Sequence, residues 1–317
     1  MSIIEQYNLT LQIEVLKEQS AETLARLCKL VDDSETSKCI DLLKAFSHIV
    51  NTELYMVTSV DELESLKSEM TDIEHRIKAF LETDAHTAEV VKSFTSYTDL
   101  PDIESYSSED FDKALERTID LLTFNKNISS TPHAVILGGQ SGAGKTTIHR
   151  VKMMEYKGDY IVIDGDTYRA QHPHFRELQE KYGVGSVDYT KGFAGKMVEA
   201  VIDKLSSLKY NLIIEGTLRS AAVPIDTATL LKSKGYIVDF CLIATKPELS
   251  YLTTQLRYLE MMIVDPLQAR ATPKEHHDGI VKSLVSNINE LEQSGFFESV
   301  QVYRRDLEQV YNSKLCT

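Results

Sequence analysis

Ala134-Val135-Ile136-Leu137-Gly138-Gly139-Gln140-Ser141-Gly142-Ala143-Gly144-Lys145-Thr146-Thr147 opens on four apolar residues and runs into the pattern G-x-x-x-x-G-K-[ST]. A short strand, a glycine-rich loop and a helix start, in that order, are what a phosphate cradle needs. Glycines let backbone N–H groups turn inward around phosphate oxygens, and the N-terminus of the next helix adds partial positive charge. On this reading Gly139, Gln140, Ser141, Gly142, Ala143, Gly144, Lys145, Thr146 and Thr147 hold a nucleotide such as ATP. Lys145 reaches the β- and γ-phosphates, and the Thr146 hydroxyl ligates Mg²⁺. The plainer alternative is a glycine-rich turn before a helix, which leaves the Lys-Thr pair unexplained.

Downstream, short apolar runs alternate with helical patterns. Tyr160–Ile163, Leu212–Ile214, Ile237–Ala244 and Val300–Tyr303 read as strands, with helices near 145–156, 189–208, 247–262 and 274–292. The alternation predicts an α/β fold, a parallel sheet with helices on both faces. Ligands of such sheets bind beyond the carboxyl ends of the strands. Two of those ends are polar. Asp164-Gly165-Asp166-Thr167-Tyr168-Arg169 follows one strand, and Glu215-Gly216-Thr217-Leu218-Arg219 follows another. Beside phosphates, one carboxylate can help position Mg²⁺ through water and the other can take a proton from an attacking hydroxyl. Alone, the two aspartates could equally cap a turn. Glu215, Thr217 and Arg219 offer an acceptor, a hydroxyl and a bidentate donor, a set suited to a polar, hydroxyl-rich substrate. Glu199 can face the same pocket if its helix has the right phase.

Arg257, on the helix after Lys246-Pro247, and Arg270, in a loop between Pro266 and Pro273, are candidates to neutralise charge on a transferring phosphoryl group. Either could instead be a surface ion-pair partner. His276-His277 invites a metal reading, but adjacent residues on a helix do not share a face.

Upstream the pattern is helical. Leu9, Ile13, Leu16, Leu24, Leu27 and Val31 form one stripe, and Leu42, Leu43, Phe46, Ile49 and Val50 a second. Leu63, Leu66, Met70, Ile73, Ile77 and Phe80 form a third, after a capping box at Ser59 and Glu62. The expected organisation is a small all-α bundle over 1–83, a connector over 84–106 and the α/β domain over 107–317. A helix starting near Ser107 and Asp110 leads into that domain.

The chain has 317 residues, 42% of them hydrophobic, and a net charge of −14, enough for a sizeable core without the composition of a disordered protein. Charge is unevenly placed. Residues 1–110 hold 23 acidic and 9 basic side chains, whereas residues 111–317 hold 25 of each. The whole excess therefore sits in the bundle and connector. An acidic bundle should be repelled by nucleic acid and anionic membrane. It can be a solvated face, or it can cover a positively charged site. No apolar run approaches a membrane span, and the N-terminus lacks a signal-peptide pattern, so a cytoplasmic protein is expected. Cys28, Cys39, Cys241 and Cys316 are widely spaced and read as free thiols.

Taken together, Gly138 to Arg150, Ile163-Asp164-Gly165-Asp166 through Arg169, Gln171-His172-Pro173-His174, Phe193-Ala194-Gly195-Lys196-Met197-Val198-Glu199, Ile214 to Arg219 and Ala269 to His277 resemble the zeta-toxin family, over about residues 107–314. The resemblance implies a P-loop kinase that phosphorylates the 3′-hydroxyl of the amino sugar of UDP-N-acetylglucosamine and thereby blocks cell-wall precursor synthesis. It implies Asp166 as base, Lys145, Arg257 and Arg270 on the γ-phosphate, and Arg169, Glu199, Glu215, Thr217 and Arg219 as sugar-nucleotide ligands. Tyr7 to Glu18 and Asn51-Thr52-Glu53-Leu54-Tyr55 resemble the toxin-binding helical part of a PezA-type antitoxin without its DNA-binding helix-turn-helix. A single-chain antitoxin–toxin fusion is implied, with an intramolecular inhibitor and no DNA binding. A kinase of another hydroxylated metabolite, or a non-catalytic nucleotide-binding regulator, remain the alternatives.

Overall fold

The computed structural model describes residues 3–32, 37–83, 103–264, 266 and 269–315. The connector expected over 84–106 lies outside the described residues for 84–102.

Three helices, α1 (Ile3–Asp32), α2 (Ser37–His48) and α4 (Val60–Thr83), form the expected bundle, and each packs on the other two. Between α2 and α4 the chain makes a π-helical turn (Ile49–Glu53) and one turn of helix, α3 (Leu54–Met56). The bundle core holds Leu9, Ile13, Leu24, Leu27 and Val31 of α1, Leu43 and Phe46 of α2, and Leu63, Met70, Ile73 and Ile77 of α4. Cys28 and Cys39 are buried free thiols in it. The capping box at α4 forms by half. The Ser59 hydroxyl accepts the Glu62 N–H at 3.2 Å, but the Glu62 carboxylate reaches one residue further and takes the Thr58 N–H at 2.6 Å. At α5 (Ser108–Thr123) the box is complete, between Ser107 and Asp110.

The α/β part carries, in chain order, β1 (His133–Gly138), α6 (Lys145–Glu155), β2 (Ile161–Ile163), α7 (Phe175–Tyr182), α8 (Val187–Ser207), β3 (Leu212–Glu215), α9 (Ala222–Ser233), β4 (Ile237–Ala244), α10 (Pro247–Val264), α11 (Lys274–Ser294), β5 (Ser299–Arg304) and β6 (Gln309–Asn312). The sheet order is β2-β3-β1-β4-β5-β6. The five strands expected from the pattern pair in parallel, and β6 adds an antiparallel edge. Strand β6 and helices α7 and α9 are additions to the sequence reading, and the main architecture stands.

Alternation along the strands splits the core into two layers. Ala134, Ile136, Leu212, Ile214, Val238 and Phe240 face α5, α8, α9 and α11. Val135, Leu137, Ile213, Cys241 and Ile243 face the other way, onto Ile148 and Met153 of α6. Tyr55, from the bundle, is a member of this second layer and is 1% exposed. It meets the His149 ring edge-on at 5.4 Å. The two parts of the chain therefore share a core. Tyr55→Ala should lower the denaturant-derived stability of the whole chain by about 3–5 kcal/mol, the usual cost of emptying a large aromatic site. A loss below about 1 kcal/mol contradicts this shared core.

Candidate active site at the carboxyl ends of the strands

Parallel pairing places the polar strand ends side by side. Leu137, just before the glycine loop, pairs with Glu215, and Ile163, just before Asp164, pairs with Ile214. The loop takes backbone conformations that L side chains rarely adopt, with φ of +142° at Gly139, +72° at Gly142 and +97° at Gly144. At Gly142 a Cβ would also overlap the Ser250 carbonyl of α10. Lys145 and Thr146 open α6 and are buried. The Lys145 ammonium donates to the Gly139 carbonyl at 3.2 Å and lies 3.5 Å from Glu215.

Around this loop the structure gathers Asp164, Asp166, Arg169, Glu215, Arg257 and Arg270. The Asp164 side chain accepts the Asp166 N–H at 3.0 Å, an Asx turn that sets both carboxylates at the end of β2. Asp166 pairs with Arg169 at 3.0 Å and with Arg270 at 3.4 Å. Arg169 also donates to the Val187 carbonyl at 3.0 Å, which anchors it to the start of α8. Thr217 is half-buried two residues beyond Glu215. Glu199 and Arg219 are exposed, and among the described residues neither pairs with this cluster. Val198, the helical neighbour of Glu199, packs over Gly165, between Asp164 and Asp166.

The helical bundle reaches into the middle of the cluster. Lys17 of α1 donates to Asp164 at 2.6 Å, and its ammonium lies 5.4 Å from the Tyr55 ring centre. Its neighbour Glu18 lies 3.4 Å from Arg257 and 3.2 Å from Arg270. Along the same face, Glu22 pairs with Arg176 at 2.8 Å, and Lys29 donates to the Pro173 carbonyl at 2.6 Å. Val15 packs on Met261 and Ala269, and Arg150 of α6 donates to the Val57 carbonyl. Beside Asp166 lies a small cavity of about 30 Å³, lined on one side by Glu18, Ala21 and Glu22.

Charge balance in this closed arrangement is visible in proton affinities. Burial opposes a charged Lys17, but Asp164 overrides it and holds the ammonium protonated. Arg270 and Arg169 hold the half-exposed Asp166 carboxyl well below the usual range. Arg257 is raised, chiefly by Glu18. Burial, then the charge on Asp164, pushes Glu215 up to about 7. Burial, assisted by Lys17, keeps His149, 3.2 Å from Glu215, in its neutral form. A carboxyl raised from 4.5 to about 7 keeps its proton in the fold where the unfolded chain has lost it. Its contribution to stability therefore falls as pH rises across that interval. Glu215→Gln should gain on the parent by about 2 kcal/mol between pH 5 and pH 7.5, read from melting curves at both values. A gap that shrinks with pH contradicts the assignment. The comparison with the parent is needed because the neutral His149 contributes a slope of opposite sign.

Three participants carry no signal in the glycine-loop motif. Lys17 and Glu18 look like members of a solvated face. Arg305, in the turn between β5 and β6, donates to the Gly142 carbonyl of the glycine loop at 3.3 Å and to Thr253 at 2.9 Å. The one hint for the pair on α1 is spacing. Glu14, Lys17, Glu18, Ala21 and Glu22 recur at helical steps on a face of α1 that flanks its apolar stripe.

Comparison with known proteins agrees with both parts. The zeta toxin family profile matches residues 117–315, and the bacterial epsilon antitoxin profile matches residues 5–79. Toxin PezT of Streptococcus pneumoniae is 59% identical over 213 residues, which cover 67% of this chain and 84% of that protein. Antitoxin PezA of the same organism is 32% identical over 81 residues, 24% of this chain and 51% of that protein. A solved structure of the PezAT toxin–antitoxin system of S. pneumoniae superposes with a TM-score of 0.64 at 56% identity, over 68% of this chain and 86% of that one.

Proposed function

This chain belongs to the zeta toxin family and carries an epsilon antitoxin domain in the same polypeptide, and from that premise we propose a cytoplasmic kinase held inactive in cis. Residues 107–317 transfer the γ-phosphoryl group of ATP to the 3′-hydroxyl of the amino sugar of UDP-N-acetylglucosamine. Residues 1–83 are the inhibitor. The observation that carries the reading is the engagement of Asp164, Arg257 and Arg270 by Lys17 and Glu18 of the antitoxin-like helix. An ammonium and a carboxylate stand where phosphoryl transfer calls for a cation and a phosphate.

The residues fit a magnesium nucleotide. The loop's backbone needs glycine at Gly142, Lys145 and Thr146 sit at the helix start, and the carboxylates of Asp164 and Glu215 face ammonium groups from Lys17 and Lys145. Thr146 would hold Mg²⁺ with help from Asp164, and the ion would supply positive charge that offsets the β- and γ-phosphates. Lys145, Arg257 and Arg270 hold the γ-phosphate and offset the charge that develops on it. Asp166 accepts the sugar hydroxyl's proton as the new O–P bond forms and the bond to the leaving diphosphate breaks. While Arg270 is paired with Asp166 the carboxylate is a weak base. Transfer of Arg270 to the phosphate strengthens that base when substrate is present. Arg169, Glu199, Glu215, Thr217 and Arg219 bind the sugar nucleotide, and the product depletes cell-wall precursor synthesis.

The test is incubation of a released variant, Lys17→Glu, with labelled ATP, Mg²⁺ and a panel of nucleotide sugars, followed by NMR of the product. Phosphate on the 3′-hydroxyl of UDP-N-acetylglucosamine is the expected result. Label on a different metabolite alone, or nucleotide binding with no transfer to any hydroxyl, overturns the substrate assignment or the kinase itself.

A further inference from the structure

His277 is the second of the adjacent histidines near the start of α11, and it is completely buried. Its Nδ1 lies 3.1 Å from an Asp278 carboxylate oxygen, and its Nε2 lies 2.8 Å from the Ser250 hydroxyl. The carboxylate favours a ring proton on Nδ1, and the Ser250 O–H then has two acceptors within reach, His277 Nε2 and the Pro247 carbonyl at 3.0 Å. Asp, His and Ser in that order match a nucleophilic triad. Ser250 is also completely buried, however, so no substrate reaches its oxygen.

The chain of hydrogen bonds leads inward instead. The Gln140 side-chain amide donates to the Ser250 oxygen at 3.1 Å and to the Thr245 carbonyl at 2.8 Å. Gln140 is a completely buried member of the phosphate loop. Backbone contact runs through the same place, because the Ser250 carbonyl fills the space that a Cβ at Gly142 would take. The Thr245 hydroxyl donates to the Ala143 carbonyl at 2.7 Å. The loop therefore rests on the first turn of α10, and that turn is held from behind by His277. The His277 N–H in turn donates to the Pro273 carbonyl at 3.1 Å, at the end of the loop that carries Arg270.

We propose that His277 is a positioning residue: through Ser250 it fixes Gln140, and with it the phosphate loop, in the conformation that receives the nucleotide's phosphates. This rests on the reading of that loop as a nucleotide site. Of the adjacent histidines, His277 is thus accounted for by its bonds to a hydroxyl and a carboxylate.

The test uses the full chain in the Lys17→Glu background, with binding of a fluorescent ATP analogue and steady-state kinetics as readouts. His277→Phe and Ser250→Ala should each raise the dissociation constant and the KM for ATP by about 3- to 20-fold, the range for losing one buried hydrogen bond. The kcat should change by less than about threefold, since loop contacts of this kind act on bound substrate and transition state alike. The double variant should be no worse than the poorer single one, because both substitutions cut the same link. His277→Gln restores a hydrogen-bonding amide near the Nε2 position and should recover most of the affinity. A lower melting temperature with unchanged nucleotide affinity in His277→Phe overturns the proposal, as does full additivity of the two substitutions. If His277→Phe fails to fold, Ser250→Ala decides alone, because it removes only a hydroxyl from a helix. No nucleotide binding by the Lys17→Glu parent overturns the underlying site, and the proposal with it.

Discussion

Lys17→Glu is expected to raise the affinity of the full chain for ATP by about 100-fold or more and to stop growth of a bacterial host that expresses it. The size follows from where Lys17 sits. Its side chain is 8% exposed and its partner Asp164 18%, with 2.6 Å between the charged atoms. Removing one member of such a buried pair costs about 3–5 kcal/mol. Glutamate adds repulsion, since it meets Asp164 with Glu215 close behind. The cost falls on the closed arrangement alone, so it appears as a larger open population. Lys67→Glu removes the same charge from an exposed pair with Glu64 on α4 and should leave both readouts unchanged. Affinity and growth that do not respond to Lys17→Glu contradict inhibition by α1. Point substitution suits this protein better than deletion of the bundle, because deletion strips Tyr55 out of the core beneath β1.

Asp166→Asn, made in the released background, should slow phosphoryl transfer by about 10²- to 10⁴-fold and shift nucleotide affinity by less than about threefold. The rate range is that of a lost general base. Asparagine keeps the size of the side chain and loses the proton acceptor. Asp166 is set by its Asx turn and by Arg169, both outside the glycine loop, so the phosphate contacts persist. A transfer rate within about fivefold of the parent contradicts the role of Asp166. Loss of nucleotide binding would point instead to collapse of the β2 end.

Much of the molecule was legible from its residues. The glycine loop and the strands around it follow from local pattern, because a strand end followed by G-x-x-x-x-G-K-T leaves the backbone few choices. The clustering of Asp164, Asp166 and Glu215 follows from one rule about parallel sheets. Elements that escaped reading have weak local signals. Helix α9 carries Pro224 in its first turn, where proline is tolerated although it reads as a break. Strand β6 is a four-residue, largely exposed edge.

The face of α1 that enters the site was legible only in part. The acidic excess of residues 1–110 left two readings, a solvated face or a cover over a positively charged site, and Glu18 lies between Arg257 and Arg270. Local pattern cannot tell such a glutamate from a solvated one, because its partners lie more than two hundred residues away. Lys17 escaped for a further reason. It is a basic residue in an acidic segment, and its partner is a carboxylate in a cleft expected to be positive. The site contains both signs, and adjacent residues of α1 answer each of them.

The most direct measurement compares label transfer from γ-labelled ATP to UDP-N-acetylglucosamine by the parent chain and by Lys17→Glu at equal concentration with Mg²⁺. The account predicts phosphorylated sugar nucleotide from the variant, formed at least tenfold faster than by the parent. Equal rates from the two chains, or no product from either, would contradict a kinase restrained by its own first helix.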